Sequence, residues 1–305
     1  MLAIGCGAPT LLAPGSGPGR RGLSTARSFW VRATSTGTVG RPCAPPCRGS
    51  ATVSGVFHWR ERVPVVVGRS VDWGFTARRG GSSVGDFASL NLGGHVGDDP
   101  LAVESNRRLV AGSFGVGRDH LLFMNQCHGS EVVVVDGPWE GEPPEADAIV
   151  TTSTDLALAV VVADCTPVLL VDPVGGVAAA VHAGRPGMMS GIVGRTVDAM
   201  TGLGATSIRA AVGPSICGRC YEVPEAMRAQ AAEISPAATA ISWRGTPAID
   251  VAAGVVDQLQ SRSIAVQWIS GCSRESEELF SYRRQHSTGR CAGVVRLLDV
   301  TKERP

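Results

Sequence analysis

From Trp59 onward, short apolar runs alternate with turns. Val65–Val67, Val132–Val135, Leu156–Val162, Val168–Val171, Val177–Val181, Ala210–Val212 and Ile264–Ile269 read as strands. β-Branched residues are frequent in them, and Gly, Pro or Asp bounds most of them. Three segments carry helical spacing instead. Pro100–Val110 follows the turn Gly97-Asp98-Asp99, which puts Asp99 at the N-cap and Pro100 at the first helical position. Gly187–Leu203 sets Met188, Met189, Ile192, Val193, Val197 and Met200 on one stripe and ends at Gly202 and Gly204. Asp250–Gln260 opens on a capping Asp, with Val251, Val255 and Leu259 on one face. There is no internal repeat and no heptad pattern. Strands mixed with helices, and several antiparallel-looking hairpins, predict an α/β or α+β layered domain. The longest clean apolar run, Leu156–Ala163, is far short of the ~20 residues a membrane helix needs, so no spanning segment is expected.

Composition changes the picture at the N-terminus. Up to Ser54 the chain is rich in Gly, Pro, Ser and Arg and lacks either periodicity. Such a stretch buries too little surface to offset its ordering entropy. Residues 1–58 are therefore expected to be a disordered or non-native extension, and residues 59–305 a single folded domain. The Arg-rich, acid-free start also resembles an organellar transit peptide; a secretory signal is not read, because Gly and Pro break Leu2–Leu12. The formal net charge of +1 hides an asymmetry. Seven of the 28 basic residues lie in residues 1–60, leaving 21 against all 27 acids in residues 61–305. A body of that sign is a poor general binder of nucleic acid. Lys302 is the only lysine, so nearly every positive charge is a guanidinium. Nine cysteines, an odd number in a chain this long, fit a reducing cytoplasm better than a disulfide scaffold.

Candidate chemistry concentrates in Leu156–Gly187, which reads LALAVVVADCTPVLLVDPVGGVAAAVHAGRPG. Three apolar runs closed by polar residues suggest that Asp164, Cys165 and His182 lie at a sheet rim. If the turn Asp172-Pro173-Val174-Gly175-Gly176 closes with Asp172 paired to Gly175, Cys165 falls directly across from His182. Opposed Cβ atoms stand ~4.5–5.5 Å apart, so a sulfur and an imidazole nitrogen there reach one metal ion. A one-residue slip would set them on opposite faces. His128, in Asn125-Gln-Cys-His-Gly129, precedes the Val132 strand and can reach the mouth of the same sheet. A buried cysteine is more often inert core.

The segments GFTARRGGSSVGDFASLNLGGHVGDDPLAVESNRRLV, NQCHGSEV, ADAIVT, VADCTPVLLVDP, AAVHAG, AVGPSICGRCYEV and LFSYRRQHSTGRCAGVV follow one another across residues 74–295. In these the chain resembles the YfiH/laccase-domain family, formerly called multicopper polyphenol oxidases and now regarded as purine nucleoside-processing enzymes. The resemblance implies a layered α-β-β-α domain, akin to the cytotoxic necrotizing factor/YfiH-like cysteine-hydrolase fold. It also implies a His/Cys/His site, which falls at His128, Cys165 and His182. One departure stands out: the family's HAGWRG is here His182-Ala-Gly-Arg185-Pro186-Gly187. Pro186 has no N–H to offer an anion, and Arg185 is left as the substitute.

The resemblance implies a zinc-dependent enzyme acting on a purine nucleoside, by phosphorolysis, by deamination of adenosine, or by both. Deamination needs a zinc-activated water and a proton shuttle. Asp164 is the candidate shuttle; its other reading is a strand-end carboxylate bonding backbone N–H groups. Phosphorolysis needs guanidinium groups on phosphate. Arg107 and Arg283 (or Arg284) are the candidates, with Asn91 a hydrogen-bonding partner for substrate and Tyr282 either stacked on a purine or filling core. Cys217-Gly-Arg-Cys220 is a lone CxxC whose further ligands the sequence does not locate. Copper is the less favoured metal, because no further His cluster offers sites for several coppers. The alternatives are a metal-free Cys/His hydrolase acting in peptidoglycan-precursor editing and a non-catalytic, metal-stabilised binding module. A cytoplasmic monomer or weak homodimer, with no nucleic-acid or membrane partner, completes the expectation.

Overall fold

Strands buried on both faces need apolar residues at every position, and those between Ala148 and Ala183 have them almost throughout. The computed structural model describes residues 55–64 and 69–299. In chain order its strands are β1 (Phe57–Pro64), β2 (Arg69–Thr76), β3 (Leu121–Leu122), β4 (Val132–Val134), β5 (Ala148–Thr151), β6 (Ala157–Val162), β7 (Thr166–Asp172), β8 (Val177–Ala183), β9 (Arg209–Val212), β10 (Thr239–Ile241), β11 (Pro247–Ile249), β12 (Ala265–Trp268) and β13 (Cys291–Asp299). The helices are α1 (Pro100–Ser113), α2 (Arg185–Met189), α3 (Ile192–Gly202), α4 (Glu225–Ile234) and α5 (Val251–Ser261).

Two large sheets result, one of five strands in the order β1-β2-β13-β6-β3 and one of six in the order β12-β9-β7-β8-β5-β4, with β10 and β11 pairing separately as a two-stranded ribbon. Side-chain alternation assigns their faces. Leu158 and Val160 of β6, Leu169 and Val171 of β7, and Val295 and Leu297 of β13 meet in one core between the sheets. The intervening residues of the five-stranded sheet, Ala157, Ala159, Ala292 and Val294, pack with Val110, Ala111 and Phe114 on the α1 side. Those of the six-stranded sheet, Val168, Leu170, Ala179 and Val181, pack with Met188, Ile192, Val197 and Val255 from α2, α3 and α5. The layers run α-β-β-α, as expected.

Asp99 caps α1, its side chain accepting from Leu101 N at 2.9 Å, and Pro100 opens the helix. Asp250 caps α5 in the same way through Ala253 N. The single helix expected over Gly187–Leu203 is two helices. Gly191, at φ +82°, turns the backbone between α2 and α3, while Met188, Ile192, Val193, Val197 and Met200 keep the predicted buried stripe across the break. The strand expected at Val65–Val67, and residues 1–54 of the expected extension, lie outside the described residues. Phe57 and His58, assigned to that extension, belong to β1. Phe57 is buried edge-on against Phe114 at 5.8 Å between ring centroids. Among the described residues no helix is long and apolar enough to cross a membrane.

Register is where geometry departs most from expectation. Asp172 pairs with Val177, not Gly175, so Pro167 faces His182 and Cys165 stands just beyond the last pair, Thr166 with Ala183. The turn is longer because the Asp172 carboxylate accepts from Val174 N and Gly175 N, both at 2.9 Å. Gly176, at φ +68°, then closes the loop onto Asp172 O at 2.8 Å. A two-residue shift preserves the face, so Cys165 and His182 become diagonal neighbours on one side.

Candidate functional site

Three chain segments converge at one end of the two stacked sheets. The chain crosses from the five-stranded to the six-stranded sheet twice, between β3 and β4 and between β6 and β7. His128 lies in the first crossing, Asp164 and Cys165 in the second, and His182 near the end of β8. His128 and Asp164 hold left-handed backbone, at φ +62° and +98°. Only one other described non-glycine residue, Ser263, does so. Such conformations concentrate at functional sites because the surroundings must enforce them.

Asp147 does the enforcing for His128. This carboxylate is 0% exposed and accepts five bonds. Oδ1 takes His182 Nδ1 at 2.7 Å and His128 N at 3.0 Å. Oδ2 takes Gly129 N at 2.6 Å, Cys127 N at 3.3 Å and Cys127 Sγ at 3.1 Å. Gln126 fastens the same loop to β6 by pairing its amide with both Val161 N and Val161 O at 2.8 Å. With Nδ1 committed to Asp147, His182 has only Nε2 free for the site. Sequence reasoning missed Asp147, although it stands in the segment ADAIVT.

The Nε2 of His128 lies 3.6 Å from Cys165 Sγ, and the two imidazoles meet edge to face at 4.7 Å between centroids. One ligand atom each from His128, Cys165 and His182 lies within 4.8 Å of the other two. Gly184 permits this approach, since a Cβ there would stand 2.8 Å from His128 Cδ2 and 3.3 Å from Cys165 Sγ. Two imidazole nitrogens and a thiol sulfur, with a carboxylate behind one imidazole, form a donor set suited to a divalent transition metal.

Charge is organised accordingly. Burial alone would raise the Asp147 carboxyl, but bonds from His182, Cys127 and Gly129 hold it well below the usual carboxylate range. Burial also opposes ionisation of Cys165; the His182 charge and the His128 hydrogen bond outweigh it and bring the thiol to about 6. His182 moves the other way: burial pushes it down, and Cys165 with Asp147 lifts it to about 9.

These residues form the floor of a cavity of about 370 Å³. Arg185, Arg283, Arg290 and His95 supply polar wall; Val162, Ile216, Tyr221, Val251 and Tyr282 supply apolar wall. Arg185 comes from the first turn of α2, where Pro186 is tolerated because its missing N–H has no intrahelical partner. Among the described residues its guanidinium bonds only Met189 Sδ, at 3.7 Å. Arg290 is held by Thr288 O at 2.8 Å, and its backbone N–H donates to Asn91 Oδ1 at 2.8 Å. Burial, then the charges of Arg290 and Arg107, push the His95 imidazole down. Sequence reasoning singled out neither Arg290 nor His95; their segments matched the family, but nothing in their spacing marked them.

The remaining candidates separate. Arg283 lines the cavity, bonds Glu222 O and stacks 5.0 Å over Tyr221. Arg284 instead holds the 273–279 loop through four carbonyls. Tyr282, 50% exposed, stands at the mouth rather than in the core. Asp164 lines the cavity with both oxygens occupied: Ser273 and Ser281 hydroxyls donate to Oδ1, and Arg283 N to Oδ2, all at 2.6 Å. Asn91 and Arg107 do not line it. Buried Asn91 is consumed by Gly93, Asp98 and Arg290. Arg107 donates to Leu92 O and lies 4.3 Å over the Phe123 ring.

Fold and site together define an α-β-β-α domain with a Cys/His metal-compatible cleft at the shared end of its sheets. The chain belongs to the YfiH/laccase-domain family, whose model, described as multi-copper polyphenol oxidoreductase laccase, matches residues 72–298. It is 55% identical over 227 residues to a purine nucleoside phosphorylase of Streptomyces coelicolor, covering 73% of this chain and 94% of that one. Another purine nucleoside phosphorylase, from Corynebacterium glutamicum, is 49% identical over 228 residues, 72% and 92% of the two chains. Among solved structures, a Neisseria meningitidis protein superposes with TM-score 0.68 at 31% identity, covering 78% of this chain and 99% of that one. Geobacillus stearothermophilus YlmD superposes with TM-score 0.70 at 27% identity, covering 80% and 100%.

Proposed function

We propose that this protein is a purine nucleoside phosphorylase whose cleft holds Zn²⁺ on His128, Cys165 and His182. One observation carries the reading: that donor set shares a single cavity with three guanidinium groups, from Arg185, Arg283 and Arg290. Arginine forks bind phosphate bidentately, and a cavity of about 370 Å³ suits a small ligand. Arg290, Arg185 and Arg283 orient phosphate toward the ribose carbon. Tyr221 and Tyr282 offer ring faces, and Val162 and Ile216 apolar surface, to the departing purine. Zinc, when bound, supplies Lewis-acid stabilisation of negative charge. Asp164 acts as a positioning residue, tying Ser273, Ser281 and Arg283 into one wall.

Relatives named as purine nucleoside phosphorylases support the reaction class. Adenosine deamination by the same cleft is the finer alternative, with the same metal donors. The protein, incubated with adenosine or inosine and phosphate, is expected to release adenine or hypoxanthine in proportion to phosphate. Inosine formed from adenosine without phosphate would indicate deamination. No turnover after zinc is restored overturns both. A metal-free cysteine hydrolase is favoured by one observation, the Cys165 thiol drawn down to about 6 beside two imidazoles. Alkylation of Cys165 by iodoacetamide that zinc does not slow would select it.

A further inference from the structure

A second cluster of ligating side chains lies apart from the cavity floor. Cys217 and Cys220 follow β9; Cys272 and Glu275 follow β12. β9 and β12 are parallel neighbours, so both loops leave the same sheet edge. Beyond the strands an isolated parallel bridge joins Ser215 to Cys272, with Ser273 N donating to Ser215 O at 3.0 Å. Each loop then closes the same tight turn. Cys220 N and Tyr221 N donate to Cys217 O at 2.9 and 3.1 Å, and Glu275 N and Ser276 N donate to Cys272 O at 3.2 and 2.9 Å. The matched turns bring the ligand at the first position and the ligand three residues on to the same side. All four ligand atoms lie within 4.8 Å of one another. Cys217 N donates to Cys272 Sγ at 3.5 Å, a bond that favours the thiolate. Trp243 Nε1 donates to Glu275 Oε1 at 3.0 Å and fixes its carboxylate, which the Cys220 thiol also meets at 3.2 Å.

We propose that Cys217, Cys220, Cys272 and Glu275 form a second, structural metal centre that takes Zn²⁺. Three thiolates and one carboxylate make a closed tetrahedral set, and sulfurs bound to zinc at ~2.3 Å stand ~3.8 Å apart, within the observed spread. Oxygen-seeking Ca²⁺ and Mg²⁺ do not suit three sulfurs. A disulfide would consume two of the thiols and leave the third and Glu275 without a common partner. Binding zinc releases the thiol protons and joins the two loops. The consequence reaches the cleft, since these loops carry Ile216 and Tyr221 of its wall and Ser273, which holds Asp164. The centre braces the wall; it does not touch the reacting atoms.

The test counts metal rather than turnover, so failure of the proposed activity leaves it intact. Protein grown with zinc and purified under reducing conditions without chelator is analysed as the double variant Cys165→Ala/His182→Ala. That variant is expected to retain one zinc per chain, and to lose it when Cys217→Ser and Cys272→Ser are added. A cobalt-exchanged sample is expected to show sulfur-to-metal charge-transfer absorption. The wild-type chain gives a readout that needs no variant: zinc is expected to protect Cys217, Cys220 and Cys272 from alkylation, mapped by peptide mass. Full alkylation of these three in the zinc-saturated protein, a disulfide among them under reducing conditions, or no metal in a folded Cys165→Ala/His182→Ala chain would overturn the proposal.

Discussion

Replacing Asp147 by Asn keeps the shape of the side chain and removes the charge and one acceptor. The Asn carbonyl can still serve His182 Nδ1 and His128 N, which share Oδ1. The amide then faces Gly129 N and Cys127 N, two donors that lose their acceptor. An unsatisfied buried donor costs ~1–3 kcal/mol. Because the 127–129 loop is partly exposed and water can replace part of this, the loss should total ~2 kcal/mol, or ~4–8 °C in melting temperature for a domain this size. Losing the partner behind a histidine ligand typically weakens metal binding 10–100-fold, so zinc affinity should fall by that factor. The pH dependence has a definite sign in metal-free protein. The Asp147 carboxyl is depressed, so its contribution is complete above ~4 and fades as acid protonates it. His182 is raised to about 9, so the same pair is complete below ~6.5 and fades as pH climbs through about 9. The stability gap between wild type and Asp147→Asn should therefore be widest between pH ~4.5 and ~6.5 and narrow on both sides. Urea denaturation across pH, with chelator competition for zinc, measures both quantities. Equal zinc affinity together with a pH-independent gap would refute the reasoning.

Three further outcomes follow from the same geometry. Gly184→Ala carries no backbone cost, because φ −71° and ψ 169° suit alanine. Its Cβ at 2.8 Å from His128 Cδ2 displaces that ligand by more than the ~0.2 Å a metal site tolerates. Zinc affinity should drop at least about tenfold by chelator competition, while the metal-free melting temperature stays near wild type. In metal-stripped protein, iodoacetamide should modify Cys165 with half-maximal rate near pH 6, well below the ~8.5 of a free thiol; His182→Ala should move that midpoint upward. Arg290→Met should raise the KM for phosphate about tenfold or more and leave the KM for nucleoside nearly unchanged in steady-state assays, a discrimination of ~1.4 kcal/mol or more.

Much of the fold was legible because buried strands advertise themselves as uninterrupted apolar runs, and β6, β7 and β8 do. β2 does not. Asp72 sits in its middle, neutralised by Arg60 at 2.9 and 2.6 Å. Gly74 is required there because a Cβ would stand 2.8 Å from Trp59 O. β13 is interrupted by Arg296, whose guanidinium reaches the carbonyls of Thr154, Phe114 and Gly115. α4 buries only Ala231 and so lacks an apolar stripe. At the site, Cys165 and His182 were legible because one hairpin joins them, and an error of two in register left their shared face intact. Asp147 was not, because a carboxylate ahead of a strand looks like an ordinary turn residue until five donors are seen around it. Cys272 and Glu275 escaped notice because Glu stands where a second CxxC would carry its last Cys, two helices and three strands away from Cys217.

The hairpin tip between β7 and β8 carries a practical consequence. Val174 there is 72% exposed, and a cut beside it would leave His128 and Cys165 on one fragment and His182 on the other. Neither half would own the complete set of His128, Cys165 and His182, whereas Cys217, Cys220, Cys272 and Glu275 would stay together on the C-terminal piece. Recovery on mixing of one metal ion beyond what that piece binds alone would thus report reassembly, making the cleft a sensor of its own complementation.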